Sequence, residues 1–249
     1  MNSSDKIYIL ENIYTQLGID MDKIIKDSNQ ILSIDNKITR VRYLDSDNKD
    51  CWLAITTETD TSVLETITKP LTIYTQADIR EQQTNYEHKF LSNFIDNTDV
   101  HCHFEHSDFI TKFETFCKIT NFLSKILDIK EKNNLCWVLF KWTNPKMCDW
   151  HIDGQKTYKV SNILTPTRVT INLGLTKGSY IEVKKADGNI ISNKNLADEV
   201  FMFDHNQRYH RIILESNYRM GLAFRIRNVD FENIVKKVMD FNLVKHILN

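Results

Sequence analysis

The stretch CDWHIDGQ, Cys148 to Gln155, sets an imidazole and a carboxylate two residues apart, at His151 and Asp153. A second imidazole, His210, lies downstream in DEVFMFDHNQRYHRIILE, near the start of a strand-like segment. Two imidazoles and one carboxylate on one side of a metal leave its other coordination positions open. That donor set suits Fe(II), which needs room for a co-substrate and oxygen. Structural zinc is closed by four ligands, and catalytic zinc more often takes three histidines, or two with a glutamate. A second His-x-Asp pair, His106 and Asp108, has a plainer explanation, because Ser107 or Asp108 can cap the helix that follows. The neighbouring cluster HCHFEH, His101 to His106, is accounted for by an exposed polar loop.

The segment YHRIILESNYRMGLAFRIR adds two cations. With Ser216-Asn217 as a two-residue turn, Leu214 faces Arg219 and His210 faces Ala223. Directly opposed residues project to one side of a sheet, so His210 and Arg219 share a face. On that face the last strand reads Arg219, Gly221, Ala223, Arg225, while Tyr218, Met220, Leu222, Phe224 and Ile226 form an apolar row on the other. A strand face left open between two arginines invites an anion. Arg219 lies about four residues from His210, or ~13 Å along a strand at ~3.3 Å per residue, a gap that a small dicarboxylate fills. The competing explanation is a structural network in which Arg219 and Arg225 pair with acidic side chains.

These residues need elements to hold them. From Leu135 onward, LCWVLFKW, TRVTINLGL, GSYIEVKK, NIIS, DEVFMFD, YHRIILE and YRMGLAFRIR are strand-like and separated by short polar turns, among them the Asp187-Gly188 pair favoured in hairpins. Short strands at this spacing predict a sandwich or jelly-roll barrel. Upstream, Ile7, Ile9, Leu10, Ile13, Tyr14 and Leu17 read as a helical stripe, and Val41 to Leu44 and Trp52 to Thr56 as strands. SDFITKFETFCKITNFLSKILDIKEKNN reads as a helix with Phe109, Phe113, Phe116, Leu123 and Ile126 on its apolar face. A last helix would carry Phe231, Ile234, Val235, Val238 and Val244. The expected organisation is an α/β region over 1–132, a β core over 133–228 and a helix over 229–249 that packs on the core.

Composition bounds the partners. The chain has 249 residues, 26% of them charged, and a formal net charge of −1, which gives no general attraction to nucleic acid or anionic membrane. No stretch approaches the ~18 apolar residues that cross a bilayer. The start MNSSDKIYILEN lacks the basic and apolar regions of a secretory signal. Cys51, Cys102, Cys117, Cys136 and Cys148 are odd in number and show no CxxC spacing, which argues against a disulfide framework or a zinc ribbon. The expectation is a soluble cytoplasmic protein.

Taken together, the pattern resembles the Fe(II)- and 2-oxoglutarate-dependent dioxygenase superfamily over about residues 133–228. His151, Asp153 and His210 match its HxD…H triad, and Arg219, nine residues after His210, matches the basic position that binds the distal carboxylate of 2-oxoglutarate. The resemblance implies an α+β fold built on a double-stranded β-helix (jelly-roll) barrel flanked by helices. It also implies Fe(II) with 2-oxoglutarate and O2 as co-substrates, and hydroxylation or oxidative demethylation of a substrate. Arg225 would serve the iron-proximal carboxylate or the substrate, and Trp142 and Trp150 the mouth. RMGLAFR keeps both arginines of the alkylation-repair demethylases' RxNxTxR, with Gly221 and Ala223 in place of asparagine and threonine. The asparagine–x–tyrosine of that branch has no clear counterpart in LFKWTNP. The reading is therefore a dioxygenase acting on an amino acid, peptide or other small molecule. The alternatives are a nucleic-acid demethylase of the alkylation-repair type, or a non-catalytic metal- or ligand-binding β-barrel.

Overall fold

The computed structural model of the chain describes residues 3–33, 37–44, 47, 50–53, 69–76, 99–105, 112–130, 135–142, 150–152, 168–175, 179–194, 199–216, 218–227 and 229–249. Its strands are β1 (Ile7–Leu10), β2 (Lys37–Leu44), β3 (Asp50–Leu53), β4 (Lys69–Gln76), β5 (Asp99–Glu105), β6 (Leu135–Trp142), β7 (Arg168–Gly174), β8 (Ser179–Lys184), β9 (Ile190–Asn193), β10 (Val200–Met202), β11 (His210–Leu214), β12 (Arg219–Arg227) and β13 (Val244–Leu248). The helices are α1 (Ile13–Gln16), α2 (Met21–Ser33), α3 (Glu114–Ile126) and α4 (Phe231–Asp240). Among the described residues no helix is long and apolar enough to cross a membrane.

The strands form two sheets. The larger runs β13-β1-β10-β7-β12-β6-β5-β4-β2-β3, and the smaller runs β11-β8-β9. An isolated bridge from His151 to His210 adds one more position to the smaller sheet, beside β11. Followed along the chain, β6 lies in the large sheet, His151 in the small, β7 in the large, β8 and β9 in the small, β10 in the large, β11 in the small and β12 in the large. This alternation winds the chain between two facing sheets, which is the double-stranded β-helix, or jelly roll. The pairings are antiparallel, save β4 with β5.

Strand alternation divides the core in two. Trp137 and Leu139 of β6, Ile171 and Leu173 of β7, and Met220, Leu222 and Phe224 of β12 meet α2, α3 and α4 on one face of the large sheet. On the other face, Ile7 and Ile9 of β1 and Phe201 of β10 pack against Ile181, Val183, Ile191 and Ile212 of the small sheet, inside the barrel.

Several expectations need correction. Ile7–Leu10 is a strand, not the first turn of a helix, and only Ile13–Gln16 is helical. All four residues of β1 are buried because Tyr8 and Leu10 face the helices while Ile7 and Ile9 face the barrel. A strand buried on both faces loses the alternation by which strands are recognised. The cluster around His101 is strand β5, paired to β4 and β6, and not a loop. The helix after it begins at Glu114, with Phe113 as N-cap and no side-chain cap; Ser107 and Asp108 lie outside the described residues. Val244 belongs to β13 and not to the last helix. That helix stops because Asn242 takes a left-handed φ of 53° and Leu243 N–H returns to the Val238 carbonyl, an ending that asparagine tolerates.

Trp137 is the hub of the helix-side core. Its ring stands edge-on to Phe116 at 5.0 Å and to Phe224 at 5.1 Å, and its Nε1–H donates to Thr120 Oγ1 at 3.0 Å. Thr120 in turn donates to the Phe116 carbonyl at 2.7 Å. Trp137→Ala is expected to cost about 3–5 kcal/mol through the cavity it leaves. Thr120→Val should cost about 1–3 kcal/mol by stranding the indole N–H. Urea unfolding with an unchanged m-value measures both.

Candidate active site

The site forms where the two sheets face each other, and not within a hairpin. β11 pairs with β8, whereas β12 pairs with β6 on one side and β7 on the other. With both edges of β12 taken, β11 has none left to pair with, so the chain around Ser216 crosses between sheets. His210 and Arg219 therefore meet across the barrel, from opposite walls. Val138, Phe140, Trp142, Thr170, Asn172, Arg219, Ala223 and Arg225 line the pocket from the large sheet, and His151, Ile181, His210 and Ile212 from the small one. The alternation expected on β12 is present: Arg219, Ala223 and Arg225 line the pocket, and Met220, Leu222 and Phe224 enter the helix-side core.

His151 and His210 are held together by their backbones. His151 N–H donates to the His210 carbonyl at 3.0 Å, and His210 N–H donates to the His151 carbonyl at 2.9 Å. Residues that exchange both bonds of an antiparallel pair sit directly opposite and project their side chains the same way. Their rings accordingly lie 4.3 Å apart between centroids, tilted by 52°. His210 is buried and His151 is exposed at the mouth. His210 Nδ1 lies 3.2 Å from the Arg208 carbonyl. A carbonyl only accepts, so Nδ1 carries a proton in this contact. Asp153 lies outside the described residues, and among the described residues no three His, Cys, Asp or Glu side chains form a metal cluster.

Arg219, 4% exposed, rests on an aromatic shelf: its guanidinium carbon is 4.7 Å from the Phe140 ring centre and 4.9 Å from that of Trp142. Gly221 makes the shelf possible. A Cβ there would fall 2.4 Å from the tip of the Phe140 ring, which lies on the strand at that point. The space beside Gly221 is thus filled by Phe140, the directly opposed residue of β6, and is not left open for a ligand as the sequence suggests. Further along β12, Arg225 is half-buried and stands opposite Cys136 and Thr170. Thr170 Oγ1 is buried on the pocket without a hydrogen-bond partner among the described residues. Trp142 lines the pocket, whereas Trp150 stacks with Arg211 at 4.8 Å, and Arg211 Nε donates to Glu182 at 2.7 Å.

Two polar residues of the pocket went unread. His205 is buried, stacked on Phe203 at 3.7 Å and edge-on to His210 at 5.1 Å. Its Nδ1–H donates to the Phe203 carbonyl at 2.8 Å, and its Nε2 accepts from Asn172 Nδ2 at 3.3 Å. Both ring nitrogens of His205 are thus engaged by neighbouring groups. The signal for Asn172 was its polarity in the middle of VTINLGL, and for His205 its place five residues before His210.

Gly221→Ala should displace Phe140 and cost about 1–3 kcal/mol. Adding Phe140→Leu should return most of that loss, a coupling that a double-mutant cycle by thermal or urea unfolding reads out.

No family model and no curated protein matches the sequence. Among solved structures, the chain is similar to a prolyl-4-hydroxylase from Pseudomonas putida, at 13% identity and TM-score 0.35 over 45% of this chain and 66% of that one. It is similar to AviO1 from Streptomyces viridochromogenes at 10% identity and TM-score 0.44, over 90% of each chain. It is similar to vicilin from Corylus avellana at 15% identity and TM-score 0.30, over 44% of this chain and 32% of that one. The chain thus spans less than two thirds of the hydroxylase and of vicilin.

Proposed function

We propose that this chain is an Fe(II)- and 2-oxoglutarate-dependent oxygenase that uses O2 to hydroxylate, or oxidatively demethylate, a small substrate such as an amino acid or peptide. The observation that carries the reading is the His151–His210 bridge: two imidazoles fixed side by side at a pocket that also holds two guanidinium groups. The donors fit a divalent metal, since the Nδ1–H of His210 is directed to a main-chain carbonyl, the kind of contact that orients a ligating imidazole. His151 would be the second ligand and Asp153, two residues on, the third. The Thr170 hydroxyl, buried beside Arg225 without a hydrogen-bond partner among the described residues, fits an oxygen-rich anion.

The reading gives each residue a task. Arg219 would take the far carboxylate of 2-oxoglutarate, its guanidinium already oriented by Phe140 and Trp142. Arg225 and Thr170 would donate to the 2-oxo acid end or to the substrate. Val138, Ala223, Ile181 and Ile212 supply apolar walls that keep water from the reacting atoms. Fe(II) held by these side chains would supply the redox chemistry by which O2 converts 2-oxoglutarate to succinate and carbon dioxide and oxidises the substrate. The net charge of −1 supports a small substrate over nucleic acid. Residues 133–228 would form the catalytic core, with 1–132 and 229–249 as its support and substrate-facing surroundings.

Anaerobic addition of Fe(II) and 2-oxoglutarate to metal-free protein is expected to produce a visible metal-to-ligand charge-transfer band. His210→Ala should abolish it. Arg219→Ala should raise the 2-oxoglutarate concentration for half-formation by about 10–100-fold, as a lost charged hydrogen-bond pair implies. A folded protein that binds iron yet gives no band would instead be a ligand-binding barrel.

A further inference from the structure

The N-terminal turn reaches the candidate metal centre through a chain of hydrogen bonds. Ser3–Asp5 forms a single 3₁₀ turn that sits against the loop leading into β11. Asp5 Oδ1 accepts from Arg208 Nε at 2.7 Å and from Ala186 N–H at 2.9 Å. The ion pair is shielded, with side-chain exposures of 27% for Asp5 and 12% for Arg208. Ser4 Oγ, itself buried, donates to Asp204 Oδ2 at 2.7 Å. The other Asp204 oxygen accepts the N–H groups of Asn206 at 3.1 Å and Gln207 at 3.2 Å, and the Asp204 carbonyl accepts Arg208 N–H at 3.0 Å. Much of this loop is therefore fixed at Asp204 and Arg208, both held by the N-terminal turn, while His205 N–H bonds the Phe203 carbonyl and the Tyr209 carbonyl accepts Lys184 N–H. The loop ends at the Arg208 carbonyl, the group that receives Nδ1–H of His210.

We propose that Asp5, with Ser4, is a positioning element for His210: by fixing the 204–208 loop it places the Arg208 carbonyl that selects the tautomer and ring orientation of the metal-ligating imidazole. This rests on the reading of His210 as a metal ligand. The partner that orients a ligating histidine is worth about 10–100-fold in metal affinity. Here that partner is a main-chain carbonyl, which no side-chain substitution removes, so its control passes to the ion pair that anchors the loop. Among the described residues Asp5 touches neither histidine nor the pocket; it reaches the loop through Arg208 and the β8–β9 turn through Ala186 N–H. Its neighbour Ser3 donates to Glu232 on α4 at 2.6 Å, a contact of the same turn that leads away from the loop.

Two measurements test this, on full-length protein. In the metal-free state, ¹⁵N-detected NMR of ring-labelled histidine reports the His210 tautomer, assigned with His210→Gln. Wild type and Glu232→Ala should show the proton on Nδ1, and Asp5→Ala a mixture of tautomers. In titrations with Co(II), Asp5→Ala should bind about 10-fold more weakly than wild type, Asp5→Glu should recover part of the loss, and Glu232→Ala should bind as wild type does. If Asp5→Ala is folded and keeps both the Nδ1–H tautomer and the wild-type Co(II) affinity, Asp5 is only a structural contact and the proposal is wrong. Failure of wild type to bind Co(II) through His151 and His210 overturns the metal-centre reading; the tautomer measurement, made without metal, still decides whether Asp5 positions His210.

Discussion

Two backbone hydrogen bonds between His151 and His210 are the constraint on which the site depends. They join His151 to the first residue of β11, two residues far apart in sequence. A single reciprocal pair sets both the separation and the common direction of two side chains. Each of these histidines also has its own surroundings: His210 is buried against Phe203 and His205, while His151 stays at the rim. One imidazole is thereby enclosed by aromatic neighbours and the other exposed at the rim.

The opposite wall is rigid for a different reason. β12 is bonded along both edges and is buried over most of its length. Its helix-facing row is tied through Phe224 to Trp137 and on to α3. Polar side chains on such a strand have little freedom to shift, so the arginines are positioned by the packing behind them. The helices thus contribute to the site without approaching it, by making the large sheet a stiff backing for its pocket face.

How much of this was legible depended on whether the deciding neighbour was local. The two faces of β12 could be read from its own residues, because alternation is a property of one strand. The partner of β12 could not: Ser216 and Asn217 suit a tight turn as well as they suit a crossing between sheets, and only the positions of β6, β7 and β8 decide between them. Gly221 was read as space for a ligand, but the ring that fills that space comes from β6, far upstream. The N-terminal strand was hidden by burial on both faces, which makes its pattern continuous rather than alternating. The donor types at 151 and 210 were visible as chemistry; the backbone bridge that joins them was not, since nothing in either segment specifies the other.

The aromatic shelf beneath Arg219 bears on the shape of anion that would suit this guanidinium. Phe140 and Trp142, inclined by 33° to one another, offer a shallow concave seat to a flat cation. A guanidinium lying on such a seat has one of its faces covered, and its N–H bonds all lie in its own plane. It is then a receptor with an orientation as well as a charge, and it favours partners that present two oxygens edge-on in that plane. A lysine at this position would keep the charge and lose the plane. The shelf therefore adds shape to charge: an anion that presents two oxygens in the guanidinium plane, as a carboxylate or a phosphate does, fits it better than a spherical one.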